Sequence, residues 1–305
     1  MTICIAAISD LTANPKIVFS ADRMISAGLQ FQHGVPKIKA LTQFCYVMMS
    51  SDDSLTTDMI IKGVQSKIAG RPLTVAQIVQ LFSEECISFK ARNRERDVLF
   101  PLGLNYSTLA EGLGDLPREV ANGVISGLLD YDYDFRSDFL IFGLDIDPIA
   151  AHIYVVNQDG EFKLYDYLGF AVIGSGYNTA FPELTRMVWH QGITMVEAIV
   201  RVYNAKKAAE RMGGVGEFTD LYVLHIPSPE KEPKVAGLWQ ATPAVMKRLE
   251  DGRKELNDTE QAAYAKVVLD VVSIIQKSIA DEQAKTQGTA QPSSSSTQGN
   301  EAVKT

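Results

Sequence analysis

Residues 2–22, TICIAAISDLTANPKIVFSAD, decide how the rest of the chain is read. Two apolar runs, TICIAAI (2–8) and KIVFSAD (16–22), flank SDLTANP. Asn14-Pro15 is turn chemistry, because Pro fixes its own φ and biases the residue before it away from helix. The pair predicts an antiparallel hairpin. It also sets a hydroxyl, Thr2, directly against strand residues Ile3, Ile5 and Ile8. Two explanations stand open. Either Thr2 is a β-branched strand starter, or removal of Met1 leaves it as an N-terminus with a free amine beside its hydroxyl.

Beyond the hairpin, GLQFQHG (28–34), VPKIKAL (35–41) and QFCYVMMS (43–50) continue as strands. From Ser54 the period changes: SLTTDMIIKGVQSKIAG (54–70) and TVAQIVQLFSEECISFKARNRERD (74–97) carry apolar residues at helical spacing, the second opened by Thr74. Residues 99–135 read as short helices. DFLIFGLD (138–145), AHIYVVNQDG (151–160) and EFKLYDYLGFAVIGSG (161–176) return to strands, with Asp159-Gly160 as a hairpin turn. AFPELTRMVWHQG (180–192) and TMVEAIVRVYNAKKAAERMGG (194–214) predict two more helices, the latter capped by Thr194 and stopped at Gly213-Gly214. TDLYVLHI (219–226) and KVAGLWQA (234–241) close the strands.

The order is strands, two helices, strands, two helices, strands. Parallel βαβ units would place single helices between strands, so the pattern predicts α+β: two antiparallel sheets face to face with a helix pair on each outer face, a four-layer αββα sandwich. This domain is expected over residues 1–241. A helical extension follows over 242–283. The tail, 284–305, is low-complexity and expected to be disordered.

Composition narrows the function. The 305 residues are 46% apolar and 22% charged, ordinary globular values, and the formal charge of −8 argues against a nucleic-acid partner. No apolar run is long enough to cross a membrane, and the first residues lack the basic region of a secretory signal. Cys4, Cys45 and Cys86 lack CxxC spacing, which fits a reducing cytoplasm and buried thiols better than zinc or disulfides. His33, His152, His190 and His225 are too scattered to propose a metal, and no cofactor is expected. The acidic DYDYDFRSD (130–138) lacks the spaced ligands of a calcium loop and reads as a solvated loop entering a strand. The Gly-Ser-Gly of VIGSGYNTA (172–180) lacks the third glycine of a phosphate-binding loop.

With the four-layer order in hand, MTICIAAISD, KIVFSADRMIS and VPKIKAL together resemble the start of a proteasome β subunit, or of the peptidase of the bacterial ATP-dependent two-component protease. Both are N-terminal nucleophile (Ntn) hydrolases. The resemblance covers roughly residues 2–240 and implies a mature chain beginning at Thr2, an Asp closing the second strand at Asp22, and a Lys entering a later strand at Lys37. Ser26 matches a hydroxyl residue that binds substrate backbone, and Ser175 a supporting hydroxyl before the third helix. The implied protein is a threonine peptidase acting on peptide or protein, a cytoplasmic homo-oligomeric ring with an ATPase partner left unspecified. A small-molecule amidase and a catalytically silent ring subunit remain alternatives.

The chemistry stands without the name. A Thr hydroxyl needs an adjacent base, and a free α-amine, with a pKa of about 7.7–8.0, can serve near neutral pH. A lysine ammonium favours the alkoxide, and an aspartate holds the lysine. One departure is plain: where the family has a Gly on the strand that supplies the oxyanion-hole amide, this chain has Met48 or Met49. Met49 is expected to meet the substrate and narrow its groove, while plain core packing of the Met pair is the other reading.

Overall fold

The computed structural model describes residues 2–11, 14–27, 30–33, 36–186, 188–190, 192–212, 215–227, 230 and 234–263, with backbone alone for 25–27 and 30–33. The expected hairpin forms: β1 (Cys4–Ser9) pairs antiparallel with β2 (Lys16–Asp22), Cys4 opposite Ala21 and Ser9 opposite Lys16. A short hairpin follows, β3 (Met24–Ala27) with β4 (Gln30–His33). Then come β5 (Ile38–Ala40), β6 (Cys45–Ser51), β7 (Ser137–Ile146), β8 (Ile149–Asn157) and β9 (Phe162–Leu164), which form one antiparallel sheet in that order. The other sheet takes β10 (Phe170–Ile173), β1, β2, β11 (Thr219–His225) and β12 (Gly237–Gln240) side by side. The protein is α+β with two five-stranded antiparallel sheets.

Strand alternation divides the apolar residues between layers. Cys4, Ala6, Ile8, Ile17, Phe19 and Ala21 of the first sheet meet Met48, Leu140, Phe142 and Ile153 of the second in one buried cluster. Phe19 and Phe142 anchor it, with ring centroids 4.6 Å apart. The opposite face of the second sheet, with Val47, Met49, Phe139 and Ile141, buries against α1 (Ser54–Ile68) and α2 (Val75–Arg94). Both helices start on sequence-encoded caps. Asp53 accepts from the Leu55 and Thr56 amides, and Thr74 and Gln77 close a reciprocal capping box. The chain then passes through a π turn and a 3-10 turn into α3 (Leu109–Asp115) and α4 (Arg118–Asp130), the short helices expected there. On the first sheet, α6 (Met195–Ala209) packs against β1 and β2, and α5 (Tyr177–Thr185) against α6 and β10.

Three boundaries differ from expectation. The run 161–176 is two strands in different sheets, not one. The chain leaves the second sheet after β9, where Asp166 Oδ1 accepts the Ile153 amide at 2.8 Å, and enters the first through Gly169 at φ +77°. The positive φ is what glycine supplies at no steric cost. Next, α6 starts at its Thr194 cap but ends at Ala209; Gly213 and Gly214 lie outside the described residues. Finally, α5 starts three residues before 180 and ends at Thr185, so it takes only the first half of the expected 180–192. No described helix is long and apolar enough to cross a membrane.

The chain divides into a body, Met1–Met246, and a unit from Lys247 onward. Residues 243–263 are helical (α7). The remainder of the expected extension and the tail 284–305 lie outside the described residues.

Candidate active site

Four of the six residues singled out from the sequence converge where β1 begins. Thr2 directly precedes β1, and Asp22 ends β2 alongside it. Because Ile173 of β10 lies opposite Cys4, the turn Gly174-Ser175-Gly176 lands beside Thr2. That turn grips the residue's backbone. The Thr2 amide donates to Ser175 Oγ at 3.0 Å, and the Gly176 amide donates to the Thr2 carbonyl at 3.3 Å. Gly174 has φ +101°, and a Cβ there would lie 2.3 Å from the Thr2 carbonyl oxygen, so the approach requires glycine.

Lys37 comes from the other sheet. It directly precedes β5, whose Ile38 pairs with Met48, and its ammonium reaches across to the first sheet. Lys37 Nζ donates to Thr2 Oγ1 at 2.5 Å and to Asp22 Oδ1 at 2.7 Å. Asp22 is fully enclosed, and both carboxylate oxygens are occupied. Oδ1 also accepts the Ile3 amide at 2.9 Å, and Oδ2 accepts the Met24 and Gly216 amides, each at 3.1 Å. Relative exposure is 5% for Thr2, 0% for Asp22 and 3% for Lys37. Burying an ion pair costs several kcal/mol per charge and is tolerated only where hydrogen bonds satisfy both ions. Here they do. Ser175 is the exposed member and marks the open side.

Cys4 also lies within the electrostatic reach of Lys37 and Asp22. Burial pushes its thiol up to about 12, with Lys37 pulling it down and Asp22 pushing it up in lesser measure. It donates instead to the Met49 carbonyl at 3.6 Å. A protonated thiol is a poor nucleophile.

The two remaining expectations fare differently. Ser26 sits in β3 opposite Phe31, and its side chain lies outside the described residues. Met49, expected against the substrate, turns its side chain into the helix-facing core among Val47, Ile60 and Phe139, 5% exposed. Met48 points the other way, between the sheets, and is fully buried. Alternation along β6 sends consecutive side chains to two cores, so Met49 presents no side-chain surface to a groove. Lys206 and Gly216, by contrast, were not foreseen. Lys206 lies one turn after Val202 on the buried stripe of α6, a spacing that places it inward although Lys206-Lys207 reads as a solvated pair.

The comparisons with known proteins add no identity: no protein-family model matches the chain, and no curated protein matches it.

Proposed function

We propose that this protein is a proteasome-like Ntn hydrolase, a threonine amidohydrolase that cleaves peptide bonds with Thr2 as nucleophile once Met1 is removed. One observation carries the reading: the buried Lys37 Nζ bridges Thr2 Oγ1 and Asp22 Oδ1. A buried lysine aimed at a threonine hydroxyl is costly as mere packing and useful for stabilising an alkoxide.

In this scheme the nitrogen that donates to Ser175 Oγ is the future base. In the described chain it is an amide; after methionine removal it is the α-amine, held by the same hydroxyl. The amine takes the Oγ1 proton as Oγ1 attacks the substrate carbonyl carbon. The tetrahedral oxyanion collapses, the C–N bond breaks, and the ammonium returns the proton to the departing amine. Water, deprotonated by the same amine, then opens the ester to release the acid and restore the hydroxyl. Lys37 stays hydrogen-bonded to Oγ1 throughout, and Asp22 holds it in place. Assembly into a cytoplasmic ring of identical subunits, with or without an ATPase partner, belongs to the same proposal through the resemblance.

The test is intact mass before and after a β-lactone probe. The supporting result is a wild-type chain that lacks Met1 and gains one probe adduct on Thr2, with no adduct on Thr2→Ala. A wild type that retains Met1, or that is not labelled, overturns the reading.

A further inference from the structure

Among the described residues, the acyl-transfer scheme leaves a second buried lysine unused. Lys206 of α6 has no exposed surface, and its ammonium donates to the carbonyls of Gly216 at 2.9 Å and Glu217 at 3.1 Å. Its third partner is Glu210, one helical turn on. Three acceptors satisfy the three protons of the ammonium. Burial still pushes it down to about 8, with Glu210 acting in the opposite direction. Such a cation is held at a cost, and it is held against a segment that touches the candidate site.

That segment is Gly216. Its carbonyl is gripped by Lys206, and its amide donates to Asp22 Oδ2. There is no slack between the two. A Cβ at position 216 would come within 2.8 Å of Met24 Cβ and 3.2 Å of Asp22 Oδ2. The other amides on Asp22 belong to Ile3 and Met24, both close in sequence to the site itself. Asp22 is already paired through its strand with β11, opposite Thr219, and Gly216 adds a hydrogen bond from the stretch before β11 to the carboxylate itself.

We propose that Lys206 is a positioning residue for the site. It fixes Gly216, the Gly216 amide fixes Asp22 Oδ2, and the carboxylate so oriented presents Oδ1 to Lys37, which faces Thr2 Oγ1. Lys206 touches neither the nucleophile nor its activating lysine and works through two intermediaries. Its catalytic consequence rests on the proposed function, but the mechanical link does not.

The test therefore has an arm that needs no activity. In the full-length chain with 15N-labelled glycine, amide exchange at Gly216 is compared among wild type, Lys206→Met and Lys206→Met/Glu210→Gln. The double variant is included because Met alone strands the Glu210 carboxylate. The expected result is at least tenfold faster exchange at Gly216 in both variants, with the amides of Gly63 and Gly143 unchanged. In parallel, β-lactone labelling of Thr2 slows by ten- to a hundredfold in the variants. Unchanged Gly216 exchange in a folded variant overturns the link, as does a double variant that fails to fold, which would make Lys206 a folding residue. If wild type is not labelled while Gly216 exchange accelerates as expected, the proposed chemistry fails and the positioning link stands.

Discussion

The β6–β7 pair carries charge at both of its ends, under opposite conditions. At the end where Ser51 pairs with Ser137, the neighbouring Thr2, Asp22 and Lys37 are at most 5% exposed, and each ion is surrounded by donors or acceptors. At the other end, past Cys45 and Gly143, His152 lies between two carboxylates. Its Nδ1 is 2.7 Å from Asp166 Oδ2 and its Nε2 is 3.4 Å from Asp145 Oδ2, with all three side chains roughly a fifth to a quarter exposed. The carboxylates there also hold backbone: Asp145 accepts the Val75 amide at the start of α2, and Asp166 accepts the Ile153 amide. The wet end is a clamp joining a helix start to two strand connections. The dry end brings its polar groups together although apolar packing would fill the same space with less electrostatic cost. That contrast favours the dry end as the seat of the proposed function.

The sharpest way to break the contrast is Lys37→Met. It leaves the Asp22 carboxylate buried without its cation, and stranding such a charge costs about 3–5 kcal/mol. Labelling of Thr2 should fall by about 10³-fold or more, because groups that act as a unit fail together. Chemical denaturation and probe kinetics check both figures, and a stable, fully labelled variant would erase the distinction between the ends. Gly174→Ala tests the same end without touching a charge. Its positive φ alone costs about 1–3 kcal/mol, and the added methyl must push the Thr2 carbonyl aside, so melting temperature and labelling rate should drop together.

The wet end should respond to pH instead. The hydrogen bond to Asp166 raises the His152 pKa above its ordinary 6.5, burial opposes this, and the charges of Asp166 and Asp145 add to the rise. A raised folded pKa means that the protonated clamp contributes fully below about 6.5 and fades as pH climbs through the folded value. His152→Gln should therefore cost about 1–2 kcal/mol at pH 5.5 and progressively less above pH 6.5. Melting curves of both proteins across that range supply the check, and parallel curves would mean that His152 does not titrate on folding. The smallest effect belongs to Lys39→Ala. Its 3.2 Å pair with Asp58 is about a third exposed on both sides, so the change should stay within about 0.5 kcal/mol and leave labelling intact.

Part of the dry end was legible in the sequence. Turn chemistry marks the hairpin, while Asp22, Lys37 and Ser175 stand out only by their match to a family pattern, since each alone reads as a turn former or a solvated residue. What escaped depended on tertiary placement. The stretch from Glu161 to Gly176 has one continuous strand-like composition, and only the pairing of Ile173 with Cys4 reveals that its second half changes sheets. Met48 and Met49 are indistinguishable by type, and a one-residue step sends them to separate cores. Lys206 was hidden by chemistry: a charged residue on a helix is usually solvated, and nothing local reports that two carbonyls of a later loop await it.

Lys37 crosses from one sheet to the other, while Thr2, Asp22 and Ser175 all belong to the first. The distance from ammonium to hydroxyl therefore measures how the two sheets are aligned over Phe19 and Phe142. A small slide of one sheet on the other would leave every ladder bond intact and still part the Thr2 hydroxyl from Lys37. The proposed chemistry would thus be a gauge of interlayer shear, tuned by whatever stiffens or loosens the packing between the sheets, and would fail well before the fold does.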